Sequence, residues 1–182
     1  FLIAVRLTGN RIASFVAAVV FGFLPAVLAQ AVIPEVYTLN AFLFGLSLLL
    51  LVCWEQSRSN ATLAAFAVVF GLGMAGHNTF ILLTPCFAGH VLVRDARHAG
   101  GLPSARRWGF YALLSLLSAA VCVGLFLYLP VRSAANPPLD WGNPETWPNF
   151  WRHVRRTQFD FMVTQYPRTA ERMGLQATAL FN

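Results

Sequence analysis

The sequence predicts an all-α membrane protein with about five transmembrane helices and a turn-rich segment outside the membrane. Of its 182 residues, 57% are hydrophobic and only 11% are charged, and the mean hydropathy is +0.60. Soluble domains carry about 25% charged residues, so this chain has too few charges to cover a soluble surface. Its apolar residues also fall into long runs, as bilayer-crossing helices require. The composition therefore argues against a soluble enzyme and against a disordered tail.

Five apolar segments are candidates for the membrane spans. They cover residues 12–31, 38–54, 61–76, 78–93 and 109–129. The third and fourth segments are short for a bilayer that needs about 20 residues, and together they are too long for one span. We therefore expect a tight hairpin that turns at residues 76–78. Residues 1–7 are expected to be the end of an earlier, sixth helix.

Proline and glycine residues shape these segments. Pro25 and Pro85 lie inside the first and fourth segments, where a kink is tolerated when neighbouring groups satisfy the freed carbonyl. Gly71, Gly73 and Gly76 fall within or next to the third segment. Small residues at such positions allow a second helix to approach closely.

The arginine distribution predicts the orientation of the chain. Arginine-rich loops stay in the cytoplasm, and the loop between the fourth and fifth segments holds Arg94, Arg97, Arg106 and Arg107. The loops that contain Glu35 and His77 then lie outside. We expect residues 1–131 to form the transmembrane region and residues 132–182 to form an extracytoplasmic amphipathic segment that is truncated in this chain.

The outer segment begins with turn-forming residues from 136 to 144. Asn143 is expected to cap a helical turn with Pro144 at its first position. Residues 148–158 suit a short basic helix with tryptophan anchors, which is typical of a helix in the lipid headgroup plane.

Two polar clusters lie at the predicted extracytoplasmic ends of the second, third and fourth segments. Glu35, Tyr37 and Asn40 precede and begin the second span, and His77 and Asn78 occupy the hairpin tip. Glu35 and Asn40 either cap the helix or bind a ligand, and Tyr37 alone suits an interfacial anchor. A charged imidazole at position 77 can bind phosphate, although a polar turn in which Asn78 or Thr79 caps the next helix explains the cluster as well.

A third polar cluster follows the fifth span. Arg132 emerges at the depth of lipid phosphates, where a guanidinium can hold a phosphate with two hydrogen bonds or simply reach toward the headgroups. Asn136, Asp140 and Trp141 follow in the turn-rich stretch and complete this candidate donor-binding set.

Other site chemistries are not indicated. The sequence contains no metal-ligand spacing, no glycine-rich phosphate loop and no nucleophile motif, so we expect neither a metal nor a cofactor. The formal net charge is +6, but the basic residues lie between apolar runs and not on one polar face. We therefore expect membrane lipids, and not nucleic acid, as partners.

The same clusters contain three longer motifs. Residues 30–40 read QAVIPEVYTLN, residues 73–79 read GMAGHNT with Pro85 following, and residues 128–147 begin YLPVRSAANPP and continue DWGNPETW. They resemble the motifs of a family of multipass membrane proteins that includes a vertebrate transmembrane protein O-mannosyltransferase. Two departures from the family pattern are Pro34 and the order of His77 and Asn78.

This resemblance implies a GT-C type glycosyltransferase. Such an enzyme moves a sugar, here mannose, from a polyprenyl-phosphate donor to an acceptor hydroxyl on a protein or a glycan, at the extracytoplasmic face. It implies Arg132 as the first candidate for the donor phosphate and His77 as the second. The catalytic base is expected in an external loop upstream of Phe1, so Glu35 and Asp140 are expected to shape the site and not to act as base.

The residues alone leave two other classes open, namely a lipid or solute transporter or flippase and a non-catalytic membrane subunit. Charges within the spans or inverted repeats would favour transport, and neither is evident. The chain begins without Met in an apolar stretch. We therefore expect a fragment of a longer multipass protein. We also expect this protein to lie in a bacterial inner membrane, with its site on the extracytoplasmic side.

Overall fold

The structure, a computed structural model, describes residues 1–33 and 36–157 together with Asp160 and Thr169. Over these residues the regular structure is entirely α-helical, which confirms the predicted all-α class. The helices, in chain order, are α1 Leu2–Thr8, α2 Arg11–Gly22, α3 Pro25–Ala31, α4 Tyr37–Ser57, α5 Asn60–Gly76, α6 Thr79–Ala99, α7 Ala105–Ser133 and α8 Trp147–Arg155.

Two of the described helices, α4 and α7, are long and apolar enough to cross a membrane by length and composition. A third candidate arises if α2 and α3 count as one span, and these two helices are bent by 60° relative to each other. Helix α5 is apolar but has only 17 residues. The segments predicted as spans are thus helical, whereas the arrangement with five crossings and its sidedness stay predictions.

The segment predicted as the first span, residues 12–31, consists of two helices bent by 60° relative to each other at the predicted kink beside Pro25, and its crossing of the membrane stays a prediction. Helix α2 ends at Gly22, and Pro25 is the first residue of α3. Proline has no N–H to donate and disfavours helical backbone in the residue before it. Leu24 accordingly has an extended conformation with ψ of 132°. Pro85, in contrast, lies inside α6.

The predicted hairpin is confirmed. Helix α5 ends at Gly76 and α6 begins at Thr79, so the chain reverses at residues 77–78. At the other end of α5, the Ser59 hydroxyl accepts a hydrogen bond from the amide of Thr62, as expected of a helix-capping residue. The hairpin places His77 at one end of the α5–α6 pair.

The core of the described region is formed by α4, α5 and α6. Its buried side chains are Leu43, Leu51, Trp54, Leu63, Phe70, Phe80, Phe87 and Val91. Helix α7 approaches α5 closely at Gly71, because a Cβ added there would lie 2.5 Å from the backbone oxygen of Ser118. The Ser118 hydroxyl also donates a 2.8 Å hydrogen bond to the backbone oxygen of Ala67. The absence of a side chain at Gly71 therefore lets α5 and α7 approach closely, and the hydrogen bond from Ser118 links them.

Asp95 of α6 and Arg107 of α7 together contact the ends of α4 and α5. Arg107 Nε at the start of α7 donates a 2.6 Å hydrogen bond to Asp95 Oδ2, and the Tyr111 hydroxyl donates to the same oxygen. Arg58 Nη1, just after α4, lies 3.6 Å from Asp95 Oδ1. Arg107 Nη1 also donates to Asn60 Oδ1 of α5 at 2.5 Å. Burial disfavours ionisation of Asp95, but the hydrogen bonds from Tyr111 and Arg107 outweigh it and lower the pKa of the carboxyl.

The guanidinium of Arg58 has a second contact. It lies 4.8 Å from the centre of the Trp54 ring, within the range of a cation–π interaction. Trp54 is fully buried, and its indole nitrogen has no hydrogen-bond partner in the described part of the chain. Arg58 therefore links the carboxylate of Asp95 to a buried aromatic ring.

The chain divides into two compact units, Phe1–Leu125 and Phe126–Asn182, with the division inside α7. The first unit contains the α4–α6 core and the α5–α6 hairpin. The second contains the end of α7, the turn-rich stretch and α8. The predicted boundary after residue 131 stays a prediction.

Candidate functional site

In the first compact unit, the start of α4 meets the turn between α5 and α6. The rings of Tyr37 and His77 lie 5.9 Å apart, centre to centre, and are tilted by 54°. Asn40 Nδ2 donates a long hydrogen bond of 3.5 Å to the hydroxyl of Thr79. The structure thus brings together three of the residues selected from the sequence, Tyr37, Asn40 and His77.

The His77 imidazole is fixed by the residue that begins α6. Its Nδ1 lies 2.9 Å from the Thr79 hydroxyl oxygen and accepts a 3.3 Å hydrogen bond from the Thr79 backbone amide. A neutral imidazole that accepts at Nδ1 carries its proton on Nε2. His77 therefore satisfies a helix N-terminus with one nitrogen and retains the other as a hydrogen-bond donor.

The capping explanation for the neighbouring residues is not confirmed. Asn78 is exposed at the N-cap position of α6, and its side chain makes no capping hydrogen bond. Asn40 lies one turn inside α4, where it contacts Thr79 and does not cap. Glu35 lies outside the described residues.

In the second compact unit, Ser133 organises the stretch that follows α7. Its side chain is 2% exposed, and its hydroxyl donates a 2.7 Å hydrogen bond to Asp140 Oδ2, with Asn143 Oδ1 at 3.2 Å. Asn149 Nδ2 in α8 donates to the backbone oxygen of Asn143 at 2.9 Å. The turn-rich stretch is therefore connected to the helices on both of its sides.

The remaining candidates of this unit lie around that stretch. Arg132 is exposed in the last turn of α7, and its guanidinium has no partner in the region that the structure describes. Asn136 has a positive φ of 47°, which asparagine tolerates better than most residues. Trp141 is 74% exposed. Arg132 and Trp141 are thus accessible, whereas Asp140 is held by Ser133.

Helix α8 differs from its prediction in one respect. The expectation that Asn143 caps a helical turn is wrong, because Thr146 caps α8 through a hydrogen bond from the Asn149 amide and Pro148 lies in the first turn. Asn143 is instead engaged with Ser133 and Asn149. The predicted short basic helix over residues 148–158 is present as Trp147–Arg155, and the last predicted position, 158, lies outside the described residues.

An apolar groove lies between α5, α6 and α7 in the first unit, with a volume of about 420 Å³. Its walls carry five aromatic side chains, which are Phe66, Phe70, Phe87, Trp108 and Tyr111. Volumes of about 300–1,000 Å³ are usual for small-molecule pockets. The groove is therefore large enough for a segment of an apolar chain.

Two residues with central positions were missed as site candidates, Thr79 and Ser133. Thr79 contacts both His77 and Asn40, and Ser133 holds the stretch beside Arg132. A hydroxyl at the first position of a helix, two residues after a histidine, was a local signal for Thr79. Nothing local indicated Ser133. Across residues 1–33 and 36–157, no three His, Cys, Asp or Glu side chains lie close enough to hold a metal ion.

Comparison with known proteins gives the family. The family model described as the protein O-mannosyl-transferase TMEM260 N-terminal domain matches residues 4–100, which is more than half of the 182 residues. The chain belongs to this family. The matched part includes the motifs at residues 30–40 and 73–79, and the resemblance inferred from them is confirmed.

The chain is also similar to a curated relative, protein O-mannosyl-transferase TMEM260 of Mus musculus. The two are 28% identical over 161 residues, which cover 85% of this chain and 22% of the mouse protein. The chain thus spans about a fifth of the length of this relative. Because the relative is a mouse protein, the comparison does not support the expected bacterial inner membrane. No solved structure is significantly similar to the chain.

Proposed function

We propose that this chain forms part of a membrane glycosyltransferase that moves mannose from a polyprenyl-phosphate donor to an acceptor hydroxyl on the extracytoplasmic face. The name of the mouse relative, protein O-mannosyl-transferase, supports mannosyl transfer to protein. The donor class, the membrane face and the GT-C fold rest on the motif resemblance. The observation that carries the proposal is the accessible guanidinium of Arg132 at the end of the apolar helix α7, which has no partner among the described residues.

The reaction requires a positive group where negative charge develops. The acceptor oxygen attacks the anomeric carbon of the sugar, the bond from that carbon to the phosphate oxygen breaks, and the polyprenyl phosphate leaves. A hydrogen-bond donor already in position stabilises this leaving group more than it stabilises the intact donor. We assign that role to Arg132, because a planar guanidinium can bind two phosphate oxygens at once.

The other residues are given binding and positioning roles. Ser133 donates a hydrogen bond to Asp140. This bond restricts the conformations of the turn-rich stretch that follows Arg132. His77, with an Nε2 proton to donate, is the second candidate ligand for the phosphate. Tyr37, Asn40 and Asn78 surround His77 as candidate donor-binding groups, and Glu35, Asn136 and Trp141 stay candidates from the sequence.

The reaction has two further requirements, an apolar site for the lipid tail of the donor and a base for the acceptor hydroxyl. The donor's isoprenoid tail needs an apolar groove, and the groove between α5, α6 and α7 in the first unit is lined mainly by aromatic and aliphatic side chains. The proton of the acceptor hydroxyl needs a base within hydrogen-bond distance. We place that base outside this chain, in keeping with the resemblance, and assign it to neither Glu35 nor Asp140.

The test uses the full-length protein with radiolabelled polyprenyl-phosphate mannose and an acceptor protein. Arg132→Ala is expected to lower kcat by about 100-fold, which is typical for the loss of one such donor, and Arg132→Lys should retain part of the activity. Arg11→Ala is the matched control, because Arg11 is also exposed and has no side-chain partner among the described residues. Equal activity of the Arg132→Ala and Arg11→Ala variants would contradict the assignment.

The same preparation separates the alternatives. Movement of a fluorescent polyprenyl phosphate between leaflets without sugar transfer would support a flippase. Absence of transfer with several donors and acceptors would refute the enzyme proposal.

A further inference from the structure

A second pocket lies between α4 and α6, at the end of these helices that is rich in arginine. Its volume is about 490 Å³. The lining residues are Glu55 from α4 and Cys86, Gly89, His90, Val93, Arg94 and Arg97 from α6. None of these residues belongs to the proposed donor site, and the pocket is separate from the apolar groove.

The α6 side of the pocket is a basic face. His90, Arg94 and Arg97 are spaced by four and three residues, which places them on one side of a helix. Gly89 leaves a notch in this face, because no atom lies within 4 Å of the position that its Cβ would occupy. The face therefore has both positive groups and space for a ligand beside them.

The positive charge of the pocket exceeds its negative charge. Glu55 Oε1 accepts a hydrogen bond from Arg94 Nε and lies 3.1 Å from His90 Nε2. This single carboxylate balances one cation. Arg97 is exposed on the last turn of α6 and has no ion-pair partner in the part of the chain that is described. Arg94 uses only Nε for Glu55, so its two terminal nitrogens stay available.

We infer that this pocket binds a phosphate group, and that the phosphate belongs to the headgroup of an anionic phospholipid. Two arginines with free N–H groups are the usual ligands of phosphate. Basic pockets between membrane helices are also places where anionic headgroups bind. The inference is independent of the transfer reaction proposed above.

The position of the pocket favours a lipid over a dissolved anion. Glu55 lies two residues before the end of α4, which is one of the candidate membrane spans, so the pocket is expected at headgroup depth. Val93 in its lining is 48% exposed and provides apolar surface next to the arginines. A phospholipid would satisfy both features, since its phosphate meets the guanidinium groups while its acyl chains contact apolar helix surface.

The experiment measures thermal unfolding of the delipidated full-length protein in a neutral detergent. Phosphatidylglycerol, phosphatidylcholine and inorganic phosphate are added in separate titrations. Arg97→Gln is the test variant, because Arg97 has no hydrogen bond or ion pair to lose among the described residues. Arg106→Gln is the matched control, because Arg106 is also exposed and unpartnered among the described residues but does not line the pocket.

Phosphatidylglycerol is expected to raise the unfolding temperature of the wild type and of Arg106→Gln. For Arg97→Gln, the concentration that gives half of the shift should rise about tenfold or more, as the loss of a charge-assisted hydrogen bond implies. Arg97→Lys keeps the charge but not the planar set of donors, so its half-shift concentration should lie between those of the wild type and Arg97→Gln. It replaces Arg97→Gln as the test variant if the glutamine variant does not fold.

Three results would overturn the inference. The first is an equal shift with phosphatidylcholine, and the second is the same titration curve for Arg97→Gln and Arg106→Gln. The third is a full shift with inorganic phosphate alone, which would make a dissolved anion the ligand. Native mass spectrometry gives an independent readout, since a retained phosphatidylglycerol should be seen on the wild type and lost from Arg97→Gln.

Discussion

Replacement of Gly71 by alanine should force α5 and α7 apart. The new Cβ would lie 2.5 Å from the backbone oxygen of Ser118 and 3.0 Å from Val121 Cβ. Carbon and oxygen atoms in helix–helix contacts rarely approach closer than about 3.3 Å, so the two backbones must separate by about 1 Å. The obstacle is main chain, which cannot turn away as a side chain can.

The expected cost follows from three contributions. Overpacking of a closely packed contact costs about 1–3 kcal/mol. The separation also weakens the hydrogen bond from Ser118 to Ala67, and such bonds between membrane helices contribute about 0.6 kcal/mol on average. Alanine returns up to about 1 kcal/mol because it favours a helix more than glycine does. The net destabilisation should therefore be roughly 0.6–2.6 kcal/mol.

Gly45→Ala provides the matched control for this substitution. Gly45 lies inside α4, and no atom is within 4 Å of the position of its absent Cβ, so only the helix-propensity gain should remain. The free energy of unfolding of both full-length variants can be measured by denaturant titration in detergent micelles. If Gly71→Ala is as stable as Gly45→Ala, the close approach of α5 and α7 is refuted.

Three further predictions concern charge, capping and sidedness. The lowered pKa of Asp95 means that its stabilisation is complete above the ordinary aspartate value of about 3.9 and is lost as the pH falls through the lower folded-state pKa. The difference in unfolding temperature between the wild type and Asp95→Asn should therefore shrink below about pH 4, and a constant difference would argue against it. Asn10→Ala should cost about 1 kcal/mol in unfolding free energy, because Asn10 Oδ1 accepts a 3.0 Å hydrogen bond from Ala13 N at the start of α2, whereas Asn10→Ser should keep most of it. Accessibility tags after Arg97 and after Asn149 should report opposite sides of the membrane, and tags on one side would contradict the predicted topology.

The hairpin and the helical class could be predicted from the sequence. Two apolar runs that are too long for one span and are interrupted by His77 and Asn78 leave few alternatives to a turn at that point. The position of Arg132 at the end of α7 followed from the same pattern, because it is the first charged residue after a long apolar run. These features depend on neighbours in the chain, which a sequence displays directly.

Other features depend on competition between groups and were not predictable. Pro25 can kink a helix or begin a new one, and the sequence around it does not distinguish the two outcomes. Asn143 and Thr146 are both good capping residues, but Asn143 has a positive φ of 39° and its side-chain oxygen lies 3.2 Å from the Ser133 hydroxyl, whereas Thr146 has the extended backbone of an N-cap. The partners of Glu55 lie 35 and 39 positions away along the chain, so no local pattern indicated them.

The arginine stacked over the buried indole gives this protein a natural optical probe. A charge that lies above an indole ring alters the colour and intensity of its fluorescence. Any event that draws Arg58 away from Trp54, including loss of the Asp95 carboxylate, should therefore change the emitted light without an added label. Substitution of the other tryptophans by phenylalanine would isolate this signal and let the ends of the helices be followed in real time.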